Sequence, residues 1–435
     1  LTIDTTPTPR FSTLDDTGDL SVAMRERLLL IIAGAFVLVI YSALILTRGA
    51  SILNLWPLLV WAGCVIAGHL TLERRLPRRD PLLFPLAMLL SGWGIALIDR
   101  LAPPFMIRQA VWLIVSTSVL IGLLLMPHHL RWLSRYRYLW LIGGLALLAA
   151  TILFGRNPAG SGPHLWLGLG EIYFQPSELL KMALIAFLAS YLADNRDLLE
   201  TQELRVGRLR LPSLRYLAPL IGMWTICALI LVWQRDLGMA TLYFMIFLAM
   251  LYVATGRSYY VYGGLALLLI ASVVSYGLFD VVRQRVDIWL NPWADPDNSA
   301  FQIVQSLMAF ASGGVFGQGI GQGSPTYIPV VHSDFVFAAI GEEWGVLGAL
   351  TVIGCFAILI VRALRLAVSQ PRAFRALLAA GIGITFATQT LLIMGGTIKV
   401  IPLTGITLPF LSYGGSSLLV NFIMLGFLLI LSDSQ

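Results

Sequence analysis

Cysteine is scarce, with three residues in 435. Cys64, Cys227 and Cys355 each lie inside an apolar stretch with no CxxC pair and no His-rich neighbourhood, which argues against a zinc cluster or a disulfide scaffold. Charge is scarce as well: Asp, Glu, Lys and Arg make up 12% of the chain against 58% hydrophobic residues, and the mean hydropathy is +0.82. A soluble domain does not need that much apolar surface to fill a core, so the chain is expected to live in lipid. No basic and then apolar stretch with a small-residue cleavage site opens the sequence, and residues 1–20 are polar and mixed, so they read as a tail and not a secretory signal. The net charge of +6 and pI near 9.3 do not imply a nucleic-acid partner, because in a membrane chain the placement of charge matters more than its sum.

What is abundant is long apolar runs. Stretches able to cross roughly 30 Å of hydrocarbon as helices lie near 28–47, 52–72, 82–99, 107–126, 138–154, 178–193, 215–233, 237–254, 260–280, 334–362, 374–396 and 414–431. The expected fold is therefore an all-α polytopic membrane protein of about 12 transmembrane helices. With the N-terminus inside, 20 of the 29 Lys and Arg fall in segments 1–27, 73–81, 127–137, 194–215, 255–259 and 362–375. Positive loops resist translocation, so both termini are expected to be cytoplasmic. Two connections on the outer side are long, 155–177 and 281–333, and long loops in a tightly connected bundle are where function is expected.

The second of these carries the chemistry. Arg283 and Arg285 stand on the side where cations are rare; they suit a phosphate ligand, which guanidinium holds bidentately, or they pair with Asp287 or lipid headgroups. Trp289 and Trp293 read as interfacial anchors. Asp295 lies between an Asn-Pro turn and Pro296, which displays it on irregular backbone as a general base or as a turn cap. Residues 301–312 are apolar but too short to span and read as a re-entrant or surface helix. The glycine-rich run 313–323 follows no strand and precedes no GK[ST], so it is neither a Rossmann nor a Walker signature and gives little support to a nucleotide site. Asp334, Glu342 and Glu343 sit in or at an apolar helix, where carboxylates usually face a cavity or the protein interior. Glu178 and Lys181, at i and i+3, can pair on one helix face.

Four separated stretches, in order, resemble the FtsW/RodA/SpoVE (SEDS) family over most of residues 82–431. They are Phe174-Gln-Pro-Ser-Glu-Leu-Leu-Lys181; Asn291-Pro-Trp-Ala-Asp-Pro296 with Gln302-Ile-Val-Gln-Ser-Leu307; His332-Ser-Asp-Phe-Val-Phe-Ala338 with Gly341-Glu-Glu-Trp-Gly345; and Pro402 through Ser417. The resemblance implies a ten-helix core at 82–435 with an outer catalytic loop at 281–333, preceded by a polar tail at 1–27 and two additional helices within 28–81. It implies a peptidoglycan glycosyltransferase that polymerises lipid II outside the cytoplasmic (inner) membrane and releases undecaprenyl pyrophosphate, working beside a class B penicillin-binding protein that performs transpeptidation. Asp295 matches the family's loop aspartate, and Glu178 and Lys181 match a charged pair in its central cavity.

On that reading Asp295 is the base, and Arg283, Arg285, Lys181, Glu178, Lys399, Gln305, Ser306, His332, Asp334 and Ser416 are candidate contacts for the lipid-linked glycan and its pyrophosphate. A divalent cation, Mg2+ or Mn2+, could assist with Asp295 as a ligand, although no ligand cluster marks one. The family pattern is broken at Leu165, where an arginine is lost, at Val330, where a carboxylate is lost, and at Arg235, where a cation is gained. The rival functions are a flippase or transporter of lipid-linked sugars, a non-catalytic scaffold for a transpeptidase, and transfer of a different lipid-linked glycan. The elongation and division branches are not separated by these motifs.

Overall fold

The computed structural model describes residues 21–48, 55–126, 129–157, 163–169, 172–201, 203–206, 209–212 and 214–433. The polar tail expected at 1–20, and loop positions such as Gly162 and Arg208, lie outside the described residues. In chain order the long helices are α1 (Val22–Arg48), α2 (Trp56–Arg75), α3 (Leu83–Leu101) and α4 (Met106–Leu125). A short α5 (His129–Arg135) leads into α6 (Arg137–Phe154), and α7 (Pro176–Thr201), α8 (Leu214–Trp233), α9 (Leu237–Thr255) and α10 (Ser258–Leu278) follow. Two shorter helices, α11 (Asp280–Leu290) and α12 (Phe301–Gly313), occupy the expected long loop before α13 (Val336–Ser369), α14 (Ala373–Thr397) and α15 (Gly415–Asp433). Two small antiparallel hairpins, Leu167–Leu169 with Ile172–Phe174 and Glu203–Val206 with Leu209–Pro212, are the strands among the described residues.

Eleven of these helices are long and apolar enough to cross a membrane, and the apolar stretch Ala218–Trp233 of α8 makes a shorter twelfth. The chain is thus an all-α, multi-pass membrane protein, because in hydrocarbon a spanning segment must satisfy its own backbone. Alternation of the spans gathers the arginine-bearing connections 76–82 and 370–372 at one end of the bundle. The connections 234–236, 279–335 and 398–414 gather at the other. At the centre stands α7, with 89% of its apolar window buried, packed by α6, α9 and α14; α10 is peripheral, with none of its window buried.

Helix α13 is broken at Gly345, whose φ of 66° and ψ of −161° suit a residue without a side chain. The glycine-rich segment inserts at this break. Val346 and Leu347 donate to the carbonyls of Gly314 and Val315 at 2.9 and 3.2 Å, while the carbonyls of Glu342 and Glu343 accept from Gln318 and Gly319 at 2.9 and 3.1 Å. These are the four groups that the i to i−4 ladder would have paired with one another, so the inserted segment supplies each of them with a new partner at the kink.

The two helices before residue 82 attach through α1 on α3 and α2 on α4. Their junction with the following segment is a buried ion cluster. Arg79 donates to both oxygens of Glu26 at 2.6 and 2.8 Å, and His69 Nδ1 lies 2.6 Å from Glu26 Oε1.

Candidate active site

Helix α11, the turn after it and the start of α12 enclose a cleft of ≈ 530 Å³ at the end of the bundle away from the arginine-bearing connections. Asp295 and Arg283 both line it, together with Asp280, Asp287 and Asn291. Asn291-Pro-Trp-Ala forms a single tight turn, since Pro292 fixes φ and cannot donate to extend α11, and this places Asp295 just ahead of α12. Its carboxylate accepts from Asn298 Nδ2 at 2.9 Å, from the Ser299 backbone N–H at 3.0 Å and from the Ser299 hydroxyl at 2.8 Å. The Asn298 amide above all, with the two Ser299 donors, holds the Asp295 carboxyl below the usual carboxylate range. The two expectations for Asp295 are therefore compatible: it caps the turn and is kept ionised by doing so.

The two arginines of α11 have different surroundings. Arg283 is exposed, 3.7 Å from Asp280 and near the Tyr276 ring. Asp287, its expected partner, instead accepts from the Tyr276 hydroxyl at 2.9 Å. Arg285 turns inward, donates to the Thr404 carbonyl at 3.3 Å and feels the charges of Asp334 and Asp236. A Cβ placed on Gly405 would lie 3.8 Å from both Arg285 Nη2 and Asp334 Oδ2, so both groups border the space beside this glycine. Burial lowers the Arg285 guanidinium and raises the Asp334 carboxyl, and it pushes Asp236 up to about 6.

Beneath Arg285 lies an inner cluster of polar side chains. Asp236 caps α9 through Met239 N and is 3.5 Å from Gln175 Nε2, while Gln175 N donates to the Ser416 hydroxyl at 2.8 Å. Lys181 donates to Glu178 at 2.6 Å and to Gln389 Oε1 at 2.9 Å. The Gln389 amide continues to the Thr407 carbonyl at 2.8 Å, and the Thr407 hydroxyl to Ser417 at 2.8 Å. The chain has only two lysines, and they are used differently. Lys181 is fully buried in this cluster, whereas Lys399 sits at φ 62° in the turn after α14, where its carbonyl accepts from Trp289 Nε1 at 3.2 Å.

The predicted residues therefore divide into groups. Asp295 and Arg283 share the outer cleft, and Arg285, Asp334, Ser416, Glu178 and Lys181 belong to the inner polar cluster. Lys399 and Trp289 stitch α11 to the turn after α14. Ser306 is buried with its hydroxyl donating to the Thr397 carbonyl at 2.9 Å, so it anchors α12 to α14; Gln305 is half-buried beside it. His332 stacks on Phe105 at 5.0 Å between centroids, and burial lowers its imidazole. Glu342 accepts from Ser324 N at 2.7 Å and Glu343 lies 3.3 Å from Arg100, so this pair binds the glycine-rich segment. Of the positions that break the family pattern, Arg235 and Val330 are both exposed, at φ 61° and 56°.

The sequence reading overlooked Asp236, Gln389 and the two donors to Asp295. Asp236 was visible as a carboxylate between two apolar runs. Among the described residues no three His, Cys, Asp or Glu side chains gather as a metal cluster.

Residues 82–435 match the FtsW/RodA/SpoVE family, described as cell cycle protein. The chain is 39% identical over 378 residues to the peptidoglycan glycosyltransferase RodA of Mycobacterium tuberculosis strain H37Rv, covering 83% of this chain and 80% of that one. It is 32% identical to the probable peptidoglycan glycosyltransferase FtsW of Geobacter sulfurreducens strain PCA, over 82% of this chain and 96% of its relative. A solved structure reported under structural coordination of polymerization and crosslinking by a peptidoglycan synthase complex superposes with a TM-score of 0.67 at 28% identity, covering 82% of this chain and 98% of that one. Shared motifs, matching helices and a match over most of the chain agree: the protein is a member of the FtsW/RodA/SpoVE family.

Proposed function

We propose that this chain is a peptidoglycan glycosyltransferase that polymerises glycan strands from lipid II at the outer face of the cytoplasmic membrane. The observation that carries the reading is the pairing, in one open cleft, of a carboxylate held ionised by three hydrogen bonds with an exposed guanidinium. Asp295 takes the proton from the acceptor sugar's 4-hydroxyl as that oxygen bonds to the anomeric carbon of the growing chain. The bond from that carbon to the pyrophosphate oxygen breaks, the centre inverts, and undecaprenyl pyrophosphate departs. Arg283 faces the cleft and is placed to meet the pyrophosphate charge; Arg285, engaged with Thr404, holds the helix that presents it.

Both oxygens of Asp295 are already hydrogen-bonded, so the residues fit a Mg2+ or Mn2+ ion only as one carboxylate ligand completed by substrate oxygens. Bound there, such an ion would neutralise leaving-group charge. The arginine-bearing end of the bundle faces the cytoplasm on this reading, with both termini, and the cleft faces outward. A class B penicillin-binding protein is the proposed partner, in keeping with the synthase complex that the fold resembles.

The test supplies lipid II and a divalent cation to the purified chain with a transpeptidase-inactive partner shown to lack glycosyltransferase activity. Wild type should make polymer and folded Asp295→Asn none. Equal polymer from both would remove Asp295 as the base, and none from partner-bound wild type would reject the polymerase reading.

A further inference from the structure

The first of the two helices that precede the matched family region touches the end of the bundle that carries the cleft. Toward its C-terminal end, α1 sets Leu44 and Thr47 against the glycine-rich segment: a Cβ on Gly321 would lie 2.9 Å from Thr47 Oγ1, 3.3 Å from Leu44 Cδ2 and 3.7 Å from Thr47 Cβ. One helical stretch lower, Phe36 packs on Trp93 at 5.0 Å and on Trp344 at 5.5 Å between centroids, and Trp344 is the residue before the Gly345 break. At its other end α1 is fixed by Glu26 on Arg79 and His69.

The segment that α1 contacts is in turn built into α13 by the four exchanged backbone bonds. Arg100 holds its far side, donating to the carbonyl of Gly323 at 3.0 Å. It is also the direct continuation of α12, whose last residue, Gly313, is so close to α13 that a Cβ would lie 2.0 Å from the Gly341 carbonyl. The turn that Asp295 caps leads directly into α12, with Ala300 N donating to the Asp295 carbonyl at 3.2 Å.

We propose that α1, anchored by α2 and the Glu26 cluster, is an intramolecular brace: it fixes residues 314–324 and, through α12, positions the Asp295 turn. Leu44, Thr47 and Phe36 are positioning residues that touch no substrate. The catalytic half of this inference rests on the polymerase reading; the contact half does not.

The built Cβ to Cβ distance of 3.7 Å lies within the roughly 3.5–4.5 Å that a disulfide spans. The three native cysteines are buried and stay in place. The full-length Thr47→Cys/Gly321→Cys protein should therefore close a disulfide on mild oxidation, read by loss of maleimide labelling. G321C alone controls for the strain of a side chain at φ 73°. Polymer formation should be the same in the oxidised and reduced forms.

Adding Phe36→Ala and Leu44→Ala to that pair should lower turnover by about 10- to 100-fold in the reduced form, the scale of an ångström-level misplacement, with the substrate KM unchanged. Oxidation should restore it. Failure of the pair to cross-link, loss of activity on cross-linking, or full activity in the reduced, loosened variant would each overturn the brace. Absence of polymer from the wild type would instead count against the polymerase reading, and cross-linking would still decide the contact.

Discussion

The buried pair in α7 offers a sharp test of how the inner polar cluster is built. The Lys181 and Glu178 side chains are 0% and 5% exposed, 2.6 Å apart, and Lys181 also supplies a donor to Gln389 Oε1. Lys181→Met keeps volume and removes the charge, leaving Glu178 with a desolvated carboxylate and no counter-ion; breaking such a pair from one side costs about 3–5 kcal/mol. Glu178→Leu should cost a similar amount for the opposite reason. Removing both partners takes away the orphaned charge and leaves only the Gln389 oxygen short of a donor, a penalty of about 1–3 kcal/mol. The single variants should thus sum to about 6–10 kcal/mol while the double variant loses far less, a large coupling of a kind expected only for groups in contact. Detergent or SDS unfolding followed by tryptophan fluorescence would give the three values. A Lys181→Met protein as stable as wild type, or additive single effects, would refute the reasoning. The same double variant separates fold from function: if it is stable and makes no polymer, the pair serves the substrate, and if it polymerises normally the pair is structural.

Other outcomes follow from the cleft and its supports. Because the Asn298 amide is the main influence lowering the Asp295 carboxyl, Asn298→Ala should move the acidic limb of the kcat/KM profile to higher pH and leave the rate near neutrality little changed; an unmoved limb would contradict that assignment. Arg283→Ala should leave stability within about 1 kcal/mol, as for exposed pairs, yet weaken catalysis of lipid-linked pyrophosphate transfer by about tenfold or more. Arg285→Ala should lower the unfolding midpoint, because Asp236 and Asp334 lose their cation. Asp236 is raised to about 6, so its charge is present above that pH; the deficit should shrink as pH falls through that region, and a deficit independent of pH would argue against the clamp. Arg79→Ala should cost about 3–5 kcal/mol by orphaning the buried Glu26, measured by the same unfolding titration.

The helices were legible because hydrocarbon imposes length and composition on each span, and the twelve apolar runs read from sequence reappear within a few residues. Asp295 was legible because an Asn-Pro turn and a following proline display it on irregular backbone. The long outer connection was less so. Its first part is the helix Asp280–Leu290, whose charged and apolar residues face a cleft and a wall that only the fold supplies. Sequence spacing placed Arg283 and Arg285 together, but two residues apart on a helix they point about 200° from one another, one to the cleft and one to Thr404. Gln389 and Asp236 come to Lys181 and Arg285 from helices far apart in the chain, a tertiary fact that no local pattern encodes.

Depth decides between surface chemistry and transport. Lys181 lies five residues into α7, Asn421 six into α15, and Gln389 eight from the end of α14. At 1.5 Å per residue the polar chain of Glu178, Lys181, Gln389, Thr407 and Ser417 therefore reaches only about 8–12 Å from the cleft end, against a hydrocarbon layer of about 30 Å. Below it the same helices bury Leu184, Phe187, Leu188, Phe386, Met424 and Leu428, interrupted by hydroxyls such as Thr385 and Ser190 but by no buried charge among the described residues. The charges at the opposite end are consumed elsewhere, in Glu26 with Arg79, Asp80 with Arg362 and Asp194 with Arg137. A carrier for a charged sugar pyrophosphate needs polar groups along its whole path, since each uncompensated charge in hydrocarbon costs several kcal/mol. A layer of charged and amide groups confined to the cleft-side third of the membrane suits an enzyme that receives its substrate at the surface. Translocation of a lipid-linked sugar by this chain alone in sealed vesicles would overturn that conclusion.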